Sequence, residues 1–124
     1  MANNNKESWK IKTIEEAYAK TGRSKVDFSI FPEDIRNHME NYYHAIVIAE
    51  AVNEGWKPNW DDYSEYKWTP WFRMSASSFA FGISAYDYTS ADAGSGSRLR
   101  FESEDKSNYV AETFPEVFKS LQIG

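Results

Sequence analysis

Glu40 and His44 are the pair of side chains in this sequence whose spacing best suits acid–base chemistry. They lie four residues apart, so on a helix they share one face, and the carboxylate could orient the imidazole as a general base. Nucleophilic catalysis also needs an activated nucleophile, and no Ser is visibly paired with this His, while cysteine is absent. We therefore expect a protein that is not an enzyme and has no catalytic residues. An enzyme of unknown class, with Glu40 and His44 as its pair, ranks last of three hypotheses, behind the two binding functions given below.

Two other groups of residues are of types that bind metal ions. His38 and His44 lie six residues apart, roughly 240° around a helix, which is too far to share one ion. Asp61, Asp62 and Glu65 could meet a hard cation, but they lack the alternating ligands and the central Gly of a calcium loop. We expect surface or half-buried histidines, solvated carboxylates, no metal and no other cofactor.

The segment Ser90–Ser97, with Arg98 and Arg100 after it, could present amide and guanidinium groups to an anion. It lacks the Gly-Lys-Ser/Thr ending and the following helix of a P-loop. We interpret it as a flexible connection between two strands.

Aromatic residues are unusually dense between Trp56 and Phe72, where four of the five tryptophans stand among Pro, Asp and Glu. Such a cluster either anchors a small core or offers a contact surface, because Trp and Tyr dominate binding hot spots. Both uses remain open from the sequence. The candidate binding residues are Trp56, Trp60, Tyr63, Tyr66, Trp71, Arg73, Tyr86, Tyr88, Arg98 and Arg100.

Composition limits the class of protein. A chain of 124 residues fits one domain, and the absence of cysteine excludes disulfides and thiolate zinc sites. Residues 1–26 are weakly basic, whereas 27–66 carry two Lys/Arg against nine Asp/Glu, which argues against a broad duplex-binding face. No signal peptide or membrane span is visible, so we expect a cytoplasmic protein without membrane contact.

Three helices are predicted. Thr13 and Glu16 form a capping box that begins a short helix at Ile14, which Gly22 ends. Pro32 begins a long helix over 33–54, with an apolar stripe at spacings of three and four, and Gly55 stops it. Ser103 caps a last helix that Pro115 should kink or split. The stripe consists of Ile35, Met39, Tyr42, Tyr43, Ile46, Ala49 and Val52.

A period of two follows the aromatic stretch and predicts strands. In 67–74, Trp68 and Phe72 share one face and Trp71 lies on the other, with Tyr86 or Tyr88 as its partner across the sheet. Pro70 makes this an edge strand. Ser75–Ser78 is a turn, a second strand places Phe79, Phe81 and Ile83 on one face, and a third short strand holds Leu99 and Phe101.

These elements predict an α+β fold of two helices, a three-stranded antiparallel meander and a final helix, with the helices on one face of the sheet. We expect one domain over 13–124, preceded by a disordered leader over 1–12.

Most of the chain resembles a family of small, mostly uncharacterised proteins from gut Bacteroides-type bacteria, their phages and their mobile elements. The segment Asn53-Glu-Gly-Trp-Lys-Pro58 carries the resemblance most specifically, supported by 68–72 and by Gly96-Ser-Arg-Leu99. The resemblance implies a compact accessory protein, located in the bacterial cytoplasm or associated with a virion. It transfers no catalytic residue, and Arg100 stands where relatives often have Cys.

Two binding functions follow as hypotheses. The first is non-enzymatic binding to another protein or to a second copy, through an aromatic and acidic surface. The second is binding of single-stranded nucleic acid or a nucleotide, with Trp71, Tyr86 and Tyr88 stacking on bases. In that case Lys67, Arg73, Arg98 and Arg100 would contact phosphates.

Overall fold

A computed structural model describes residues 7–74, 79–90 and 96–123, with the side chains of Arg73, Met74 and Ile123 excepted. The predicted turn at Ser75–Ser78 and residues 91–95 of the predicted Ser90–Ser97 connection lie outside the described residues. Within the described residues the fold is α+β, as predicted, with four α-helices and a two-stranded antiparallel sheet.

The first helix, α1 (Ile14–Thr21), begins at the predicted capping box. The Thr13 hydroxyl accepts a hydrogen bond of 3.1 Å from the Glu16 amide, and the Glu16 carboxylate accepts one of 2.9 Å from the Lys12 amide. Gly22 ends the helix at a φ of 72°, a left-handed conformation that glycine adopts without strain. Trp9 packs against the core and Ile11 is buried, so residues 7–12 belong to the folded part rather than to a disordered leader.

The long helix, α2 (Glu33–Asn53), follows a short 3-10 helix over Phe28–Ile30. From Ala45 onward it is buried on nearly all sides, because α1 packs against it on one side and the C-terminal helices on another. The predicted apolar stripe is therefore too narrow: Val47 and Ile48 are fully buried, whereas Ile35 at the other end is exposed.

Pro115 splits the last helix, as predicted, into α3 (Glu104–Thr113) and α4 (Pro115–Ile123). Ser103 caps α3 by accepting a hydrogen bond of 3.2 Å from the Lys106 amide. The core lies between α2, these two helices and the inner face of the sheet. Its buried members include Ile11, Tyr18, Val47, Ile48, Val52, Leu99, Phe101, Val110, Phe114, Val117 and Phe118.

The sheet consists of β1 (Lys67–Met74) and β2 (Phe79–Asp87). The predicted third strand is wrong for the described residues: Phe101 makes only an isolated bridge to Trp68, with hydrogen bonds of 3.1 and 2.8 Å. Pro70 gives the physical reason. It is the next residue of β1 facing this edge, and without an N–H it cannot bond the Leu99 carbonyl, which instead accepts from the Thr69 hydroxyl at 3.2 Å.

The two faces of the sheet differ. Phe72 stacks on Phe118 of α4, and Ser84 bonds to Ser107 of α3, which defines the packed face. Trp71 and Ile83 lie on the opposite face, which we call the open face. In the described part of the chain, no helix is both long and apolar enough to cross a membrane.

Candidate protein-binding surface

The rings of Tyr66, Tyr86 and Tyr88 pack together at the end of the hairpin, and we call them the tyrosine patch. Tyr66 and Tyr86 stack in parallel with ring centroids 4.2 Å apart, and Tyr88 meets them edge-on at 5.2 and 5.5 Å. All three side chains are exposed. Trp68 supports them from the side, with its ring 4.8 Å from Tyr86 and 6.0 Å from Tyr66.

The hydroxyl groups of the tyrosine patch interact with one another. A hydrogen bond with Tyr66 is the main cause that raises the pKa of Tyr88, followed by burial and by a hydrogen bond with Tyr86. The Tyr88 hydroxyl therefore stays protonated at neutral pH and can donate or accept hydrogen bonds. The patch is thus aromatic, and contacts among its own members hold its arrangement.

Acidic residues flank the members of the tyrosine patch in sequence. Asp61, Asp62 and Glu65 lie in the loop before β1, and Asp87 ends β2 between Tyr86 and Tyr88. Hydrogen bonds from Ser64 lower the pKa of Asp62, so that it remains charged to a pH below its ordinary range. In the same loop Tyr63 is 77% exposed, the most exposed aromatic residue that the structure describes.

Lys67, expected to face solvent beside Trp71, is fully buried. Its ammonium group donates to the backbone carbonyls of Asp62, Glu65 and Tyr88, and lies 3.2 Å from the Glu65 carboxylate. These partners satisfy its donors and fasten the acidic loop to the end of β2. Lys67 is therefore structural, and its proposed contact with a phosphate is wrong.

Arg100, also expected to contact phosphate, is 1% exposed. Its guanidinium group donates to the Lys67 carbonyl at 3.0 Å and lies 3.1 Å from the Asp87 carboxylate. A buried guanidinium paired in this way holds the segment after Arg98 against β1 and cannot reach a ligand in solvent.

Arg98 is exposed but lies 3.3 Å from the Glu50 carboxylate, which also receives two shorter bonds from Arg23. The side chain of Arg73 lies outside the described part of the chain. Of the four cations predicted to meet phosphates, two are therefore buried and one is in an ion pair.

Trp71 lies on the open face and is 58% exposed, as predicted. Its partner across the sheet is Ile83, not Tyr86 or Tyr88, and Ile83 is 67% exposed. The register shifts between Trp71 and Phe72, so that Phe72 pairs with Phe81 and Gly82 is left without a partner. This bulge turns Ile83 to the open face, and the predicted common face for Phe81 and Ile83 is wrong.

Trp56 and Trp60 are half-buried. Trp60 donates its indole N–H to the Ser97 hydroxyl at 2.5 Å, and its ring lies 5.2 Å from the ammonium group of Lys67. Trp60 is therefore mainly a support for the buried lysine.

Trp56 lines an open groove of about 620 Å³ at the C-terminal end of α2. The carboxylates in this groove are already paired: Glu50 with Arg23 and Arg98, and Glu54 with Lys20 at 2.7 Å. The groove is a junction of ion pairs between α1, α2 and the segment around Arg98.

The sequence did not indicate the role of Asn53, which begins the segment that carries the family resemblance. Its buried side chain donates to the Arg100 carbonyl at 2.8 Å and accepts from the Glu102 amide at 3.1 Å. Glu54 follows in a left-handed conformation with a φ of 50°. A polar residue at the buried end of an amphipathic helix is the only sequence signal that could have suggested this link.

Glu40 and His44 share a face of α2, as predicted, with 3.6 Å between the Glu40 carboxylate and Nε2 of His44. Nδ1 of His44 lies 3.0 Å from the hydroxyl of Tyr18, whose pKa burial raises to about 12, with smaller contributions from Tyr43 and Glu40. A tyrosine held protonated in this way is a poor nucleophile. None of these three residues lines the groove beside Trp56. The contacts Tyr18–His44–Glu40 therefore serve to join α1 to α2.

His38 lies near Tyr42, with ring centroids 6.3 Å apart, and has no contact with His44 among those described. In the described residues, no group of three or more His, Asp or Glu side chains is placed to hold a metal ion. Comparison with known protein families, with curated proteins and with solved structures finds no match to this chain.

Proposed function

We propose that this protein acts by non-enzymatic binding to another protein, through the tyrosine patch and the acidic residues beside it. One observation carries the proposal: three exposed tyrosines, flanked by carboxylates in sequence, are packed on one another, while Lys67 and Arg100 are buried. Tyr is enriched in binding hot spots, and fixed rings lose little conformational entropy on binding.

The charge around the patch indicates the chemistry of the partner. Carboxylates at the rim and electron-rich ring faces both attract guanidinium and ammonium groups, and a cation over an aromatic ring contributes about 0.5–2 kcal/mol. The partner is therefore a protein that presents exposed Arg or Lys. Binding of single-stranded nucleic acid is disfavoured, because three of the four cations predicted for phosphate contact, Lys67, Arg98 and Arg100, are buried or paired.

An accessory role in a phage or mobile element, in the cytoplasm or on a virion, is part of this proposal. It rests on the resemblance of the segment Asn53–Pro58. Phage or mobile-element genes beside the gene for this chain would support that role, and a conserved chromosomal neighbourhood without them would contradict it.

Calorimetric titration tests the binding function with three probes: an Arg-rich peptide, a Glu-rich peptide of equal length and oligothymidylate. We expect only the Arg-rich peptide to bind, and its affinity to fall as salt rises. Tyr66→Ala combined with Tyr86→Ala should weaken binding at least tenfold, an effect of about 1.4 kcal/mol. Trp71→Ala is the matched control on the other face and should bind normally.

Two results would overturn the proposal. One is equal binding of the Arg-rich peptide by the double variant and the unchanged protein. The other is salt-dependent binding of oligothymidylate without binding of the peptide, which would establish the nucleic-acid alternative.

A further inference from the structure

The outer edge of β2 is open. β2 pairs with β1 on one side, and no described strand pairs with it on the other. Proteins usually guard such edges with Lys, Pro or a covering element, because an open edge recruits another strand. β1 carries Pro70 at its own open edge, whereas β2 contains no Lys, Arg or Pro.

The hydrogen bonds of Trp68 show which backbone groups of β2 face this edge. Both backbone bonds of Trp68 go to Phe101, away from β2, so Trp68 and Tyr86 form a non-hydrogen-bonded pair of the antiparallel ladder. The N–H and C=O groups of Tyr86 therefore point away from β1, and those of Ser84, two residues earlier, do the same.

We infer that β2 pairs through this edge with β2 of a second copy of the chain, antiparallel, on a two-fold axis at Ala85. In this register Ser84 of each copy exchanges both backbone hydrogen bonds with Tyr86 of the other, which uses the outward groups identified above. Ala85 faces Ala85 of the second copy. The two hairpins then form one continuous four-stranded sheet.

Residue size and charge favour this register. Side chains approach most closely in a non-hydrogen-bonded pair, and the pair on the axis is the small Ala85. Asp87, the one charged residue of β2, lies opposite Ile83 of the second copy, whereas an axis at Asp87 would oppose two like charges. The bulge at Gly82 ends the regular edge, so pairing is confined to 83–87.

Apolar side chains on the open face would add to the backbone hydrogen bonds of such a dimer. Trp71 and Ile83 form a directly paired apolar couple, each more than half exposed. In the dimer, the couples of the two copies lie on the same face of the joined sheet, on either side of the two Ala85 residues. They would form one apolar surface across the axis.

Cysteine crosslinking tests the register, because the chain contains no native cysteine. Directly opposed residues in a non-hydrogen-bonded pair have Cα atoms about 4.5 Å apart, which a disulfide can bridge. We expect Ala85→Cys to form a disulfide-linked dimer under mild oxidation. Ala80→Cys, which is also exposed on β2 but lies beyond the bulge, is the matched control and should stay uncrosslinked.

Sedimentation of the full chain tests the association itself. At about 100 µM we expect a mass twice the monomer's 14.4 kDa. Ile83→Glu should shift the equilibrium at least tenfold towards monomer, because it places a second carboxylate directly opposite Asp87 of the other copy. Ile30→Glu, at an 81% exposed position away from the sheet, should leave it unchanged.

The inference is overturned by a strict monomer at this concentration, by equal crosslinking of the two cysteine variants, or by a dimer that Ile83→Glu leaves intact. It does not depend on the proposed function, since peptide binding by the tyrosine patch and the mass of the chain are separate measurements. Circular dichroism of each variant confirms that it is folded.

Discussion

The guanidinium group of Arg100 donates a hydrogen bond of 3.0 Å to the backbone carbonyl of Lys67, so that one fully buried cation holds the backbone of another. Both side chains are paired with carboxylates, Lys67 with Glu65 and Arg100 with Asp87. The two buried cations therefore serve the fold and compensate Glu65 and Asp87. Among the four acidic residues named above, Asp61 and Asp62 are those for which the structure describes no ion pair.

Lys67→Ala should destabilise the protein strongly. The substitution leaves three backbone carbonyls and the Glu65 carboxylate without their buried donor, and we expect a loss of about 2–4 kcal/mol in the free energy of unfolding. Urea denaturation measures it. Lys57→Ala, at an exposed position, should change stability by less than about 0.5 kcal/mol, and equal effects would show that Lys67 has no special role.

Asn53→Ala should cost about 2–3 kcal/mol, because the Arg100 carbonyl and the Glu102 amide both lose their partner in a buried place. Asn53→Asp keeps the acceptor for Glu102 and removes the donor to Arg100. The Asp variant should be more stable than the Ala variant when both are measured at acid pH, where the added carboxyl group is protonated and uncharged. Equal stability of the two variants at that pH would contradict a role for the retained bond.

Thr13→Ala should destabilise the protein by about 1 kcal/mol, since the Glu16 amide loses the hydroxyl that caps α1. Thr13→Ser retains the hydroxyl and should restore most of this loss. Thermal unfolding followed by circular dichroism compares the three proteins. Identical melting of the Ala and Ser variants would mean that the capping bond contributes nothing.

The ion pair of Glu54 with Lys20 should make stability depend on pH. The hydrogen bond from Lys20 lowers the pKa of Glu54 below its ordinary 4.5, so the pair stabilises the fold above that pH and is lost as pH falls through the lowered pKa. Because the pair is partly exposed, we expect about 0.2–1 kcal/mol.

Glu54→Gln measures this contribution. The variant should be less stable than the unchanged protein at neutral pH, and the difference should shrink well below pH 4.5. The exposed Glu112→Gln serves as control for the loss of one negative charge. A difference that stays constant with pH would contradict the assignment.

Local sequence signals predicted the helices well. The capping box at Thr13, the start of α2 after Pro32 and the break at Pro115 each depend on residues close in the chain, and each is confirmed. The expected stripe of α2 failed in its second half, because burial there depends on α1 and α4 packing from two sides.

The sheet was predicted less well, for reasons that involve contacts distant in sequence. The absent N–H of Pro70 prevents Leu99 from extending the bridge of Phe101 into a strand. Lys67 alternates correctly with Trp68, yet the loop before β1 folds over it and encloses its charge. Period two identifies the face on which a residue lies, but it does not show what covers that face.

The candidate surface was partly visible in the sequence. The exposure of Trp71, Tyr66, Tyr86 and Tyr88 agrees with the predicted contact residues, whereas Trp60 supports a buried charge and Arg100 is itself buried. Composition showed the aromatic density but not which rings would pack on one another, since Tyr66 and Tyr86 meet only after the hairpin closes.

The unpaired Gly82 determines that Ile83 lies on the open face of the hairpin, beside Trp71. If Gly82 were paired in a regular ladder, strict alternation from Phe81 would turn Ile83 towards the helices and Ser84 towards solvent. The bulge at Gly82 thus places Ile83 at the surface, where it can contact another molecule, instead of in the core.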